Sequence, residues 1–140
     1  LNITSASADV PPPAPWNFGE RYFQYQRDGH PSLYGASKAA LDRLTAGWAI
    51  ELSGSGVAVN ALAPVGAVAS EGARALSGWN EEDHLEPVEA MAEAALQLCW
   101  RPASECSGEI ARSLPLLRRF GVAIRHLDGK TLLGSEEARI

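Results

Sequence analysis

The sequence has few of the features that would assign it to a specialised class of protein. It has two cysteines, Cys99 and Cys106, and no histidine pair at a zinc-ligand spacing near them, so we expect free thiols and no metal site. No run of about 18 apolar residues occurs, and we therefore expect no transmembrane helix. A net charge of -5 argues against a nucleic-acid surface, which is usually basic. No signal peptide is visible, so a cytoplasmic location is expected.

A glycine-rich phosphate-binding turn is also missing. None of the 13 glycines fall into G-x-x-x-G-x-G or G-x-G-x-x-G, spacings that let the backbone approach a pyrophosphate at a helix N-terminus. Gly54 and Gly56 lie close together, but they follow a predicted helix and precede a predicted strand. They therefore predict a turn at a helix C-terminus, where glycine supplies a positive φ.

What the sequence does contain is a tyrosine and a lysine four residues apart, Tyr34 and Lys38, at the start of a helix-like run. Residues at i and i+4 share one face of a helix. An ammonium group beside a phenol favours the phenolate form, so the pair predicts a general acid/base that works near neutral pH. The same spacing also arises by chance on amphipathic helices, where it has no chemical role.

Three further segments accompany this pair in a fixed order. With the segment that contains the pair, the four motifs are Asn-Ile-Thr-Ser (2–5), Tyr-Gly-Ala-Ser-Lys (34–38), Val-Asn-Ala-Leu-Ala-Pro (59–64) and Ser-Gly (107–108). Together they resemble the short-chain dehydrogenase/reductase family over roughly residues 1–113. The resemblance implies an α/β fold, the C-terminal part of a Rossmann-type doubly wound parallel sheet whose N-terminal glycine-rich half is missing. We therefore expect a piece of a longer chain that is inactive on its own.

The resemblance also implies roles for individual residues. Ser5, with Ser7 as the alternative, would bind the substrate oxygen. Tyr34 would transfer the proton, and Lys38 would support Tyr34 and hold the nicotinamide ribose, so both also contact the cofactor. The remaining cofactor contacts implied by the resemblance are Pro64, Gly66, Val68 and Ser70. Val65 stands where the family usually has glycine.

The activity implied is hydride transfer between NAD or NADP and a small-molecule carbonyl or alcohol substrate. A homodimer or homotetramer is implied too, formed through the outer face of the long helix. The alternative is a catalytically silent binding or regulatory protein of the same fold, or an inactive piece. The intact Ser5, Tyr34 and Lys38 favour the enzyme, whereas Val65 and a long insertion favour the alternative.

The resemblance divides the chain into the C-terminal half of an NAD(P)-binding Rossmann-type domain over residues 1–114, with an insertion over 8–32, and a C-terminal extension over 115–140. Alternating small, apolar and polar stretches predict strands over 1–6, 57–63 and 108–113, and helices over 33–53 and from Glu86 to Cys99. Pro87 and early acids suit a helix start. Asp128-Gly129 predicts a hairpin turn.

Several segments leave two interpretations open. The proline- and aromatic-rich connection over 8–32 is either a substrate-gating flap or hydrophobic wall, or a surface excursion, and a partner site is a further possibility. The glycine-containing segment 67–78 is either a substrate lid or a surface loop with a short helix. The stripe Leu41, Leu44, Trp48 and Leu52 is interpreted as core packed on the sheet. Cys99 is expected on a buried helix face.

Overall fold

A three-stranded parallel sheet organises the part of the chain that the computed structural model describes, residues 1–76 and 85–134. Its strands are β1 (Asn2–Ile3), β2 (Ala61–Ala63) and β3 (Ile110–Arg112), in the order β1-β2-β3. Leu62 is the central partner and pairs with Ile3 on one side and Ala111 on the other. The predicted parallel α/β class is confirmed, although each strand is shorter than predicted. The missing glycine-rich half stays a prediction.

Five helices accompany the sheet within the described residues. They are α1 (Arg21–Asp28), α2 (Ser32–Glu51), α3 (Glu71–Leu76), α4 (Val88–Trp100) and α5 (Ser113–Phe120), and a 3-10 turn spans Ala6–Ala8. The predicted helices over 33–53 and 86–99 are confirmed as α2 and α4. The connection over 8–32 is not wholly irregular, because it contains α1. The segment 67–78 contains α3, and its last two residues lie outside the described part of the chain. None of the described helices combines the length and apolar character needed to span a membrane.

The hydrophobic core lies between β2, β3, α4 and α5. Its larger members are Leu62, Leu98, Leu114, Leu116 and Leu117. Burying a leucine side chain contributes about 1.5–3 kcal/mol, so this cluster is the main stabilising unit of the described chain. Helix α5 begins before the predicted domain division at residue 114 and ends after it. The division itself stays a prediction, and residues 135–140 of the extension lie outside the described ranges.

Asn60 joins three parts of this core by hydrogen bonds from a fully buried amide. Its Nδ2 donates to the carbonyl oxygens of Cys106 at 3.1 Å and Leu98 at 3.4 Å, and its Oδ1 accepts the Glu109 N–H at 3.0 Å. Cys106 is buried here, and this burial raises the pKa of its thiol. Cys99, predicted to be buried, is exposed, because it lies on the side of α4 that faces away from the core.

Helix α2 packs inward through small side chains. Gly35 and Thr45 are its buried residues, and the Thr45 hydroxyl accepts the Asn2 amide at 2.9 Å. By contrast, Leu44, Trp48 and Leu52 are 48%, 41% and 39% exposed. The interpretation of the α2 stripe as core is therefore wrong for these residues, and the helix presents an apolar outer face.

Two predicted turns are confirmed. Gly54 and Gly56 follow α2 with φ of 82° and 81°, a conformation that favours glycine. The hairpin around Asp128 and Gly129 closes with an antiparallel bridge between Arg125 and Leu132. Asp128 accepts hydrogen bonds from the backbone of Lys130 and Thr131, which lowers the pKa of its carboxyl group to about 2.

Candidate functional site

The carboxyl ends of β1 and β2 lie side by side, because Ile3 pairs with Leu62 in a parallel ladder. The segments that follow these strands, residues 4–8 and 64–70, therefore leave the sheet at the same edge. In parallel α/β sheets this edge is where ligands bind. The two segments that the sequence assigned to substrate and to cofactor thus follow neighbouring strand ends, and their roles stay predictions.

The segment after β1 lies against the first turns of α2. Lys38 Nζ donates to the Ile3 carbonyl oxygen at 2.9 Å, and Thr4 Oγ1 donates to the Lys38 carbonyl oxygen at 3.4 Å. Further along, a Cβ added to Gly35 would overlap the carbonyl oxygen of Ser7. Ser5 is thus flanked on both sides by contacts with the helical turn that carries Tyr34, and the missing side chain of Gly35 permits this approach.

Tyr34 and Lys38 contact each other as their spacing predicts. Lys38 Nζ lies 5.6 Å from the centroid of the Tyr34 ring, within the range of a cation–π interaction. The Tyr34 residue is 49% exposed, and its hydroxyl makes no hydrogen bond to the described residues. The phenol is therefore accessible to a substrate, with a fixed positive charge at its side.

Ser5 has a local structural role as well. Its Oγ accepts the backbone N–H of Ser7 at 3.2 Å and so caps the 3-10 turn. A serine hydroxyl can donate one hydrogen bond while accepting another. Among the described residues no acceptor takes the Ser5 hydroxyl hydrogen, which leaves that donor available for a substrate oxygen.

The loop after β2, residues 64–70, is held by one buried residue. Glu86 Oε2 accepts the Val65 N–H at 2.7 Å, and Glu86 forms a parallel bridge with Val68 through its backbone. At the end of the loop, Ser70 Oγ accepts the Ala73 N–H at 3.1 Å and caps α3. Pro64 and Gly66, two of the predicted cofactor contacts, flank the fixed Val65.

Glu86 is the residue of this site that the sequence did not reveal. It is fully buried, and its second oxygen, Oε1, has no hydrogen-bond partner among the described residues. An acid before a proline indicated only a helix start, so no local signal marked it. Burying a carboxylate oxygen without a hydrogen-bond partner costs folding free energy.

The residues present fit the nicotinamide-ribose end of a dinucleotide. Lys38 offers an ammonium group beside the carboxyl end of β1, and the loop held by Glu86 lies at the neighbouring strand end. The 140 residues offer no glycine-rich turn for the pyrophosphate. Within the described ranges, no three His, Cys, Asp or Glu side chains come together as metal ligands would.

Comparison with known proteins gives one match. The sequence model of the family described as short chain dehydrogenase matches residues 26–81, which include Tyr34, Lys38 and the loop after β2. Searches of the curated proteins and of the solved structures gave no match. The family match confirms the predicted resemblance within residues 26–81, which contain two of the four ordered motifs. The central segment of this chain, residues 26–81, is thus similar to the short chain dehydrogenases.

Proposed function

We propose that this chain carries the proton-transfer site of an NAD(P)-dependent oxidoreductase that interconverts a carbonyl compound and an alcohol. The observation that supports the proposal best is the position of Lys38 Nζ, 5.6 Å from the Tyr34 ring and hydrogen-bonded to the end of β1. This pair lies inside the segment that matches the short chain dehydrogenases. The exposed phenol lies on the helical turn that packs against the segment of Ser5, through Gly35 and Ser7.

Each residue has a defined task in this reaction. In the direction of reduction, Tyr34 donates its proton to the carbonyl oxygen while Ser5 donates a hydrogen bond to the same oxygen. Negative charge develops there, so donors aimed at it act in the transition state. In the direction of oxidation, the Tyr34 phenolate accepts the alcohol proton. A bound nicotinamide supplies or accepts the hydride.

Lys38 and the loop after β2 orient the reacting groups. The bond from Lys38 Nζ to the Ile3 carbonyl holds the ammonium group 5.6 Å from the centroid of the Tyr34 ring. The same ammonium has two further hydrogens for the ribose hydroxyls. Pro64, Gly66, Val68 and Ser70 are proposed as the wall against which the nicotinamide lies, and either NAD or NADP suits this half of the site.

A Tyr34→Phe variant tests the proposal, and Tyr25→Phe is its matched control. Tyr25 lies on α1 and is similarly exposed, so the control removes a hydroxyl of the same kind elsewhere. Turnover of carbonyl substrates, followed by nicotinamide absorbance in the full-length protein, is expected to fall about 10²–10⁴-fold in Tyr34→Phe and to stay unchanged in Tyr25→Phe. Cofactor affinity, measured by calorimetry, is expected to stay within about twofold in both.

Two results would count against the enzyme. Unchanged turnover in Tyr34→Phe would remove Tyr34 from the mechanism. Cofactor binding without turnover of any carbonyl or alcohol in the unaltered protein would favour the silent binding protein instead.

Self-association through α2 is a further part of the proposal. Leu44 and Trp48 are one turn apart on its outer face and both are exposed, which suits a helix packed against a second copy. A Trp48→Glu change is expected to convert a dimer or tetramer to monomers in light scattering. Leu127→Glu alters a leucine of the hairpin that is more exposed than either residue and should leave the molecular mass unchanged. A monomeric unaltered protein would refute this part.

A further inference from the structure

A pocket of about 520 Å³ opens in the segment that connects Ser7 to α2. Small-molecule sites are typically about 300–1,000 Å³, so the pocket has the size of one. Its apolar walls come from prolines and aromatic residues: Pro11, Pro12, Pro13, Trp16, Phe18 and Phe23. Prolines and aromatic rings lose little conformational entropy when they are covered by a ligand.

Hydrogen bonds between the walls hold the pocket open before any ligand arrives. Trp16 Nε1 donates to the Pro12 carbonyl oxygen at 2.9 Å, and Gln24 Nε2 donates to the Phe18 carbonyl oxygen at 3.0 Å. The Trp16 and Phe18 rings lie 6.4 Å apart in a tilted arrangement. A ligand would therefore meet a preformed surface, which lowers the cost of binding.

The charge inside the pocket is already neutralised. Arg27 is the charged residue among those that line it, and its Nε and Nη2 bind the two carboxylate oxygens of Asp28 at 2.6 and 2.8 Å. Its guanidinium carbon also lies 4.9 Å from the centroid of the Phe18 ring. The other polar lining residues, Gln26 and Ser32, are uncharged. An anionic ligand would find no free cation here, whereas an uncharged one would find two hydrogen-bonding groups.

The pocket lies next to the proposed catalytic residues along the chain at both of its ends. Pro11 follows Ser7 by four residues, and Ser32 precedes Tyr34 by two in the first turn of α2. Two residues along a helix correspond to a rise of about 3 Å. Ser32 lines the pocket and is also the first residue of α2, so the pocket reaches the helical turn that carries Tyr34.

We propose that this pocket binds the apolar ring system of an uncharged aromatic or alicyclic ketone or secondary alcohol, the substrate of the reaction proposed above. That the ligand is a substrate rests on the proposed function, whereas the class of ligand rests on the pocket alone. The ring is unchanged by the reaction, which takes place at the carbonyl or hydroxyl group attached to it.

Tryptophan fluorescence gives a direct test of binding, with acetonaphthone as the probe. Saturable quenching is expected in the unaltered protein and in Trp48→Phe, and it should disappear in Trp16→Phe, because Trp16 lines the pocket and Trp48 does not. Naphthoate has the same rings with a carboxylate and is expected to bind at least about tenfold more weakly, since its charge would lose water without gaining a partner. Quenching that does not depend on Trp16, or equal binding of naphthoate, would overturn the proposal.

A second pair of variants separates the ligand assignment from the catalytic one. Phe23→Ser removes an apolar wall and should raise the Kd for acetonaphthone about tenfold or more, whereas Phe23→Leu keeps an apolar side chain and should raise it less than about threefold. Both variants should fold, because α1 contributes no residue to the core cluster.

Kinetics complete the test. In Phe23→Ser the KM for aromatic ketones should rise in parallel with the Kd, and in Phe23→Leu it should follow the smaller rise in Kd. A shift in Kd without a shift in KM would overturn the substrate assignment. Trp16-dependent binding in a protein that turns over no carbonyl with either nicotinamide would refute the proposed function and still support the ligand class.

Discussion

The buried carboxylate of Glu86 accepts the backbone N–H of Val65 at 2.7 Å, so the loop after β2 is fixed by a side chain 21 residues further along the chain. Hydrogen bonds to charged acceptors are about twice as strong as neutral ones. The backbone of Glu86 reinforces this link through bonds with Ala67 and Ala69. The loop proposed to contact the nicotinamide is therefore held in place by Glu86, a residue that is not itself among the proposed contacts.

Replacing Glu86 by leucine is expected to loosen this loop locally. The Val65 N–H loses its acceptor, and a bond to a charged group contributes about 1.5–3 kcal/mol, so amide exchange at Val65 should accelerate about tenfold or more. Glu86→Gln retains an oxygen acceptor and should accelerate exchange much less. Hydrogen exchange measured by NMR distinguishes the two, and equal rates in both variants would show that the carboxylate does not hold the loop.

The close approach of α2 to Ser7 predicts opposite effects for two glycines of one helix. Gly35→Ala would drive a Cβ into the Ser7 carbonyl, which is backbone and cannot rotate away, so we expect a loss of about 1–3 kcal/mol in the free energy of unfolding. Gly47→Ala would place its Cβ 3.1 Å from Arg43 Nη1, the end of a flexible side chain, and should be neutral or stabilising by up to about 1 kcal/mol. Urea denaturation measures both, and a stable Gly35→Ala would contradict the packing.

The two cysteines should react at very different rates. Cys99 is exposed, whereas Cys106 is buried and its thiol pKa is raised, first by burial and then by the Glu109 carboxylate. The thiolate is the reactive form. Iodoacetamide at neutral pH is therefore expected to add one equivalent rapidly, as measured by mass spectrometry, and the second only on unfolding. Cys99→Ser should abolish the rapid addition and Cys106→Ser should preserve it. The reverse pattern would contradict the exposure of Cys99 and the burial of Cys106.

The Asp128 hairpin should tolerate acid to a low pH. The folded pKa of about 2 lies below the value of about 3.9 for a free aspartate, so the stabilisation by this carboxylate is complete above the free value and disappears as pH falls through about 2. NMR titration of the Asp128 carboxyl group tests this directly. At pH 7, Asp128→Ala should expose the Thr131 amide to exchange, whereas Asp128→Asn retains an oxygen acceptor and should protect it partly. An ordinary titration near 4 would mean that the hydrogen bonds from Lys130 and Thr131 to Asp128 are not populated.

Local patterns were sufficient where the interaction itself is local. The contact between Tyr34 and Lys38 follows from a spacing of four on a helix, and the turn at Gly54 and Gly56 follows from the backbone freedom of glycine. The start of α4 followed from Pro87, whose fixed φ suits a first turn. The parallel sheet followed from the order of the motifs.

Features that depend on distant partners were not predictable. Helix α4 buries the face that packs against α5 and β2, so the residues near Cys99 in the sequence did not predict its exposure. The Glu86 carboxylate accepts its hydrogen bond from Val65, which is 21 residues away in the chain. Helix α1 escaped detection because prolines and aromatic residues dominate the surrounding segment, and its eight residues are too few for a clear apolar period. The pocket beside α1 forms only when residues from both ends of the segment 8–32 come together in the folded chain.

The sheet order has a consequence for the way this chain folds. Asn60 and Glu109 are 49 residues apart, and Asn2 and Thr45 are 43 apart, yet each pair is joined by a hydrogen bond in the native state. Strand pairing must therefore wait until long loops have closed, whereas the 20 residues of α2 can become helical within about a microsecond. Domains with such distant contacts fold more slowly than helical bundles. Helix α2 is accordingly expected to gain structure first, and Tyr34 and Lys38 would lie side by side before the sheet edge they serve has formed.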